Sequence, residues 1–340
     1  MANVDVHDRT PQSIAGPSPP PVDALLSCKT DHVRLITKLL GAICLKERQA
    51  PLAGPLAWCQ LSEQGLRFTT EESTSLQARV YLMADMFREY AYAEAEPALI
   101  GLNLGVVLEC LRILDGKGGA LSQPPSLFVR YQEESACLRL TLVEGIALTT
   151  CEISTLDNGL PSDHGGASVR QSCRLVLKAE TLRDGLAELE WGEANQRDKV
   201  VQLRVGAAAR TLTLTVRNAD CGCEMTFPAD AMAKADVERD VDESYSFAHL
   251  QAVSRALHSA EEACVRVMDN GELNVMMRLN EGGKQGFVEY FLAPLDVDLD
   301  DEGFALAGGP VARPRGGNGH SGVHRAGGDG DGDGDGTSAG

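Results

Sequence analysis

The residues best suited to chemistry are a run of carboxylates, a scatter of cations and three histidines. The run "DVERDVDES" holds Asp236, Glu238, Asp240, Asp242 and Glu243. Clustered carboxylates are what a metal-dependent nuclease uses to hold two divalent ions for in-line attack. Here they fall in a polar stretch without strand alternation, so a solvated connector is the expectation and a metal-dependent nuclease the alternative. His32, His249 and His258 stand in or beside helix patterns, away from any serine or cysteine nucleophile motif. "GKGG" (Gly116 to Gly119) lacks the glycine spacing and the serine or threonine of a phosphate-binding loop. "DGDGDGDG" begins like a calcium loop through Asp329, Asp331, Asp333 and Gly334, but position twelve is Gly340 and no helices flank it. Neither metal nor cofactor is expected, and no catalytic residue is assigned.

The cations are more suggestive. In "HVRLITKLLGAI", Ile36, Leu39, Leu40 and Ile43 make an apolar stripe at helical spacing, and Arg34 and Lys38 stand four apart on the other side. A second helix offers Arg112, with Lys117 just beyond it. A third offers Lys178 at its start and Arg183, diluted by Asp184, Glu188 and Glu190, and a fourth offers Arg255. Together with Lys29 these suit loose phosphate contact; no helix is rich in the asparagine and glutamine that read bases. The formal charge of −18 opposes nucleic-acid binding taken globally.

Those helices belong to a duplicated plan. Sliding the chain by 149 places Lys29 on Lys178, Asp31 on Glu180, Val33 on Leu182, Arg34 on Arg183 and Leu40 on Leu189. Sliding by 146 places Leu104, Val107 and Leu111 on Leu250, Val253 and Leu257. Each copy reads strand, helix, strands, helix, strands, an α+β unit repeated in tandem. The expected organisation is a leader over 1–22, a first domain over 23–155, a linker over 156–172, a second domain over 173–298 and an acidic Gly/Asp tail over 299–340.

Other signals are plainer. No run of about 18 apolar residues exists, so no membrane span is expected. The proline-rich leader has no apolar core, which argues against a secretory signal. The ten cysteines mostly sit inside apolar patterns, which reads as buried free thiols in a reducing compartment. "RPR" (Arg313 to Arg315) is a short basic hint of nuclear import.

"LVEGIALTTCEIST" (Leu142 to Thr155), "VLKAETLRDGLAELEW" (Val176 to Trp191) and "GFVEYFLAP" (Gly286 to Pro294) carry a family resemblance. Together with the duplication they resemble sliding clamps of the proliferating cell nuclear antigen fold, and among these the Rad-one family of checkpoint clamp subunits, over about residues 23 to 298. The resemblance implies an α+β sliding-clamp fold, two tandem repeats with helices on the inner face and antiparallel sheets outside. It implies a heterotrimeric ring with Rad-nine-like and Hus-one-like subunits, placed on double-stranded DNA by an ATP-dependent loader. Such a ring is a nuclear, non-catalytic platform for checkpoint and repair proteins; a 3′–5′ exonuclease acting on DNA, an activity the resemblance also suggests, and a homotrimeric replicative clamp are the other readings. It also implies a partner-peptide groove beneath the linker, here assigned to Leu160, Tyr290, Leu292, Ala293 and Pro294. The closing strand, with Val288, Tyr290 and Leu292 alternating against Glu289 and Phe291, is expected to be exposed on one face.

Overall fold

The computed structural model describes residues 24–45, 54–115, 126–144, 147–157, 159–165, 169–190, 199–217 and 221–296. The leader, Lys117 with the Gly116–Gly119 loop, Arg313–Arg315 and the Gly/Asp tail lie outside the described residues.

The first repeat runs β1 (Leu26–Thr30), α1 (Val33–Ala42), β2 (Leu56–Ser62), β3 (Gly65–Glu72), β4 (Leu76–Met83), β5 (Glu89–Tyr92), β6 (Ala98–Asn103), α2 (Leu104–Asp115), β7 (Ser126–Gln132), β8 (Cys137–Glu144) and β9 (Ala147–Ser154). The second repeats that order: β10 (Gln171–Lys178), α3 (Ala179–Glu188), β11 (Val200–Gly206), β12 (Thr211–Arg217), β13 (Gly222–Phe227), β14 (Met232–Val237), β15 (Val241–Ser246), α4 (Phe247–Leu257), β16 (Glu262–Met268), β17 (Leu273–Glu281) and β18 (Lys284–Leu292). Every strand therefore has a counterpart nine strands later.

Three antiparallel sheets result. One has the order β5-β1-β7-β8-β9, another β13-β12-β11-β15. A nine-stranded sheet, β14-β10-β16-β17-β18-β4-β3-β2-β6, crosses from one repeat to the other. The crossing is the β18–β4 ladder, in register from Phe287 opposite Tyr81 to Leu292 opposite Leu76.

The helices lie on the sheets through the stripes that their periodicity sets. In α1 the buried positions are Val33, Leu35, Ile36, Leu39 and Leu40. Helix α2 begins with the Asn103 side chain accepting from the Val106 amide at 3.2 Å, an N-cap that satisfies one orphan donor. Helix α1 seats closely on β18 because Gly286 has no side chain: a Cβ there would lie 2.4 Å from a Leu39 methyl carbon. Tyr290 is fully buried, and its hydroxyl donates to the Ala42 carbonyl at 2.6 Å.

Two expectations need correction. The closing strand is not open on one face. Val288, Tyr290 and Leu292 pack on the helix side, while Phe291 on the other side is only 3% exposed. The alternation was real, but both faces are covered because the linker lies across the outer one. The carboxylate stretch is also not a strandless connector. Asp236 lies in β14, and Asp242 and Glu243 lie in β15. Exposed strands take charged side chains on their solvent face, which hides the apolar alternation.

None of the ten cysteines is joined in a disulfide. Cys28, Cys59, Cys173 and Cys264 are buried, Cys221 is exposed and the rest are half-buried. Burial pushes the Cys173 thiol up to about 11, so it packs as a hydrophobe and not as a nucleophile. Among the described residues no helix is long and apolar enough to cross a membrane.

Candidate functional site

Two surfaces gather the polar chemistry: the layer of helices and the linker-covered outer face of the nine-stranded sheet.

On the helix layer, Arg34, Lys38, Arg112 and Arg255 are exposed. Arg112 ends α2 and Arg255 ends α4, and both flank Cys44 just beyond α1. Burial raises the pKa of that thiol, while the two arginines pull it the other way. Arg255 also donates to the Leu45 carbonyl at 3.4 Å, so a cation of the second repeat reaches across onto the first. Lys38 is ion-paired with Glu281 at the end of β17. Arg183 is held at 2.8 Å by Asp184 and at 3.8 Å by Glu180, so its charge is largely neutralised on its own helix. Lys178 is exposed where β10 meets α3.

Lys29 does not belong with them. It lies in β1, where Leu26, Cys28 and Thr30 are buried and Ser27 and Lys29 take the opposite face by strand alternation. Its ammonium sits 4.8 Å from the Phe128 ring centroid and 3.9 Å from Glu89. The same alternation holds for Lys178, since Cys173, Leu175 and Leu177 of β10 are buried, so both lysines take the face away from the buried one.

On the outer face the linker is tied down by named contacts. The Trp58 indole donates to the Gly159 carbonyl at 3.0 Å. The Ser162 amide donates to Glu71 at 2.7 Å, and Gln77 donates to the Ser162 carbonyl at 2.9 Å. Arg79 donates to the His164 carbonyl at 2.9 Å while its guanidinium lies 4.4 Å from the Phe291 ring centroid. Glu272 holds His164 Nδ1 at 2.9 Å and accepts from the Gly165 amide at 3.0 Å. Gly165 has φ +66°, and a Cβ there would lie 2.5 Å from the Phe291 ring. Only glycine permits both that backbone and that approach.

A cavity of about 540 Å³ opens beside this strap, lined by Arg67, Arg79, Leu99, Leu160, Pro161 and His164 among others. Leu160, 83% exposed, is part of its wall. Tyr290 and Leu292 point to the helix side, and Ala293 and Pro294 are not among the lining residues. The sequence reading chose the wrong phase of the strand. Phe291, one residue on, is the side chain that meets the linker, and the same period-2 pattern that buries Tyr290 could have identified it. Arg67, Arg79, Glu71, Gln77, His164 and Glu272 were missed as well. Their partners are more than 80 residues away in the chain for most of these contacts, and no local pattern reports such pairing.

The carboxylates proposed for a nuclease go to separate partners. Asp236 pairs with Lys234 at 2.8 Å, Asp240 accepts from the Ala207 amide at 2.7 Å, and Asp242 accepts from Gln202 at 2.7 Å. Among the described residues no group of three or more His, Cys, Asp or Glu side chains could hold a metal ion. His258 Nδ1 lies 3.1 Å from the Ser254 carbonyl one helical turn back, in an ordinary helix-end contact.

Comparison with known proteins adds the family. The family model described as repair protein Rad1/Rec1/Rad17 matches residues 25–278. The chain is 25% identical over 272 residues to the cell cycle checkpoint protein RAD1 of Mus musculus, covering 79% of this chain and 92% of that protein. It is 24% identical over 285 residues to the DNA damage checkpoint control protein rad1 of Schizosaccharomyces pombe, covering 76% of this chain and 87% of that protein. In fold it is similar to the proliferating cellular nuclear antigen of Entamoeba histolytica, with TM-score 0.62 and 14% identity over 80% of this chain and 99% of that one. The corresponding protein of Thermococcus kodakaraensis gives 0.61 and 15%, over 79% of this chain and 100% of that one. The fold is that of the sliding clamps.

Proposed function

Because the chain belongs to the Rad1/Rec1/Rad17 repair-protein family, we propose that it is a non-catalytic subunit of a DNA-encircling checkpoint clamp. It acts in the nucleus as a platform for DNA-damage signalling and repair proteins. Its neighbours in the ring are two related subunits, Rad-nine-like and Hus-one-like, and an ATP-dependent loader opens the ring onto double-stranded DNA. The two repeats are the domains of each subunit, about 23–155 and 173–298.

One observation carries the reading. Inside the chain, the last strand of the second repeat (β18) pairs with the fourth strand of the first (β4). Their counterparts nine strands away, β9 and β13, are both open edges. Joining β9 of one subunit to β13 of the next gives the order β5-β1-β7-β8-β9-β13-β12-β11-β15. That is the order of the internal nine-stranded sheet with every strand replaced by its counterpart in the other repeat. The junction already built within one subunit is therefore the template for the junction between subunits, and using it at both ends closes a ring while leaving no unpaired edge there.

The helix layer then faces the hole. Arg34, Lys38, Arg112, Arg183 and Arg255 make loose phosphate contacts, weakened at Lys38 and Arg183 by their acidic partners. Lys29 and Lys178 drop out on the ground of their direction. Weak contact suits a ring, because topology retains the DNA and sparse cations let it slide. Of the proposed peptide groove, Leu160 remains as a docking side chain for partner segments beside the linker.

Proline placed at Thr149 and at Thr150 in turn tests the junction. Neighbouring residues of a strand send their amides to opposite sides, so one of the two removes a donor from the open edge of β9. That variant should fold and fail to join the ring. If both variants assemble with the partner subunits at wild-type affinity, the β9 junction is wrong.

A further inference from the structure

The cavity beside the linker has an unusual floor for a peptide-docking site. Two arginines, Arg67 on β3 and Arg79 on β4, contribute to it, together with His164 and the polar side chains of Gln60 and Thr69. Arg79 is committed to the linker and to Phe291. The Nε of Arg67 is buried and has no hydrogen-bond partner among the described residues. Arg67 as a whole is half-buried and lines the cavity, so its charge meets an incoming group through the rest of the guanidinium. Of the nearby carboxylates, Glu71 and Glu272 are already bound to linker groups, and Asp163 is exposed at the rim. The rim is apolar: Leu99 is 38% and Leu160 83% exposed, and Pro97 and Pro161 stand beside them. The cavity therefore asks for carboxylates followed by large apolar side chains.

This chain carries such a segment close by. After Asp296 the sequence continues "VDLDDEGFAL", with Asp298, Asp300, Asp301 and Glu302 followed by Phe304 and Leu306. The chain leaves the fold next to the strap: the Leu295 amide donates to the Ser244 carbonyl at 2.7 Å, and a Cβ on Gly271 would lie 3.0 Å from the Pro294 ring. Gly271 precedes Glu272, the residue that grips His164 and Gly165 on the cavity wall. From Asp296 to Phe304 eight residues can span about 26 Å when extended. We propose that the segment Val297–Leu306 docks in this cavity in cis, its carboxylates on Arg67 and its Phe304 and Leu306 on the Leu99–Leu160 rim. The docked segment competes with any partner segment for that place. The Gly/Asp run farther on has the charge but no apolar side chain, so charge alone would not seat it.

Placing the photo-cross-linker benzoyl-phenylalanine at Phe304 of the full chain tests this directly. Mapping by mass spectrometry should find the cross-link within the same molecule, at Leu99, Leu160 or Pro161. Arg67→Glu should lower the yield about tenfold, and Asp300→Lys with Asp301→Lys in the Arg67→Glu chain should restore most of it. Arg67→Ala, which removes the charge without adding one, should give an intermediate loss and guards against misfolding in the glutamate variant. Cross-links to a second copy, to a different surface, or insensitive to Arg67 would each overturn the proposal. None of these readouts depends on DNA or on ring assembly, so failure here leaves the clamp reading standing, and the reverse.

Discussion

The β18–β4 junction and the open β9 and β13 edges are built from equivalent strands, yet their side chains differ in kind. At the junction Val288, Tyr290, Phe291 and Leu292 of β18 and Leu76, Gln77, Ala78 and Val80 of β4 are all buried. At the edges Leu148 is 66% exposed, Thr149, Thr150 and Glu152 lie open, and so do Glu224 and Thr226 on β13. On the clamp reading proposed above, the difference separates a permanent joint from one that opens. A dry, aromatic joint fuses two repeats of one chain. On that same reading, a joint with threonines and glutamates on its solvent face keeps the open edges polar and suits a ring that a loader must part. Polar edges also blunt the tendency of unpaired strands to aggregate.

The largest expected effect comes from breaking the permanent joint. Tyr290→Ala would leave a cavity beneath α1 and free the Ala42 carbonyl, lowering stability by about 4 kcal/mol in urea unfolding. Tyr290→Phe removes only the hydroxyl and should lose about 1 kcal/mol. Equal losses for the two would mean that the ring is not packed as described.

Next is the strap over the outer side of the same joint. Gly165→Ala forces a Cβ into the Phe291 ring at a backbone angle that disfavours it. A loss of about 1–3 kcal/mol is expected, or faster proteolysis at the linker if the strap lifts instead. Wild-type behaviour on both counts would show that the linker does not hold to Phe291.

Acid should act on α4 beside the joint. Burial lowers the pKa of His249 below its ordinary value, against an upward pull from Glu72. A folded-state pKa below the unfolded one means the unfolded chain binds the proton more readily. Stability is then full above the unfolded value near 6.5 and declines as pH falls through it toward the folded value. Chemical unfolding at pH 7.5 and 5.5 should show a smaller decline in His249→Gln than in wild type. An identical decline in both would assign the acid sensitivity elsewhere.

The smallest effect concerns the helix layer. Charge reversal at Arg34 and Lys38 should leave assembly intact and weaken salt-sensitive retention on DNA several-fold. Reversal at Arg183 should do less, because Glu180 and Asp184 already neutralise it. Retention that is unchanged in the first variant would remove these residues from the DNA-facing set.

The sequence made the repeated plan legible because helix stripes and strand alternation are local signals that survive duplication. In the structure Leu104 and Val107 fall on Phe247 and Leu250, one turn from the sequence offset, which still found the repeat because positions three apart share the helix face that meets the sheet. What it did not disclose was direction and distant pairing. Lys29 and Tyr290 were each assigned to the wrong face, because a residue's type does not say which side of the pleat it takes. The strap was invisible: Glu71 with Ser162, and Glu272 with His164, meet only after both repeats have folded. The Asp236–Glu243 strands were hidden by solvent-facing charge. Leu160, one of the linker's few apolar residues, lines the cavity beside it, and its docking role stays a proposal.

The central claim is that β9 and β13 repeat between subunits the joint that β18 and β4 make within one. Native mass measurement after co-expression with the two related clamp subunits tests it most directly. The expected result is one complex holding one copy of each, lost when proline occupies the outward-facing position of Thr149 or Thr150. A lone monomer, a homotrimer, or a heterotrimer indifferent to both prolines would contradict it.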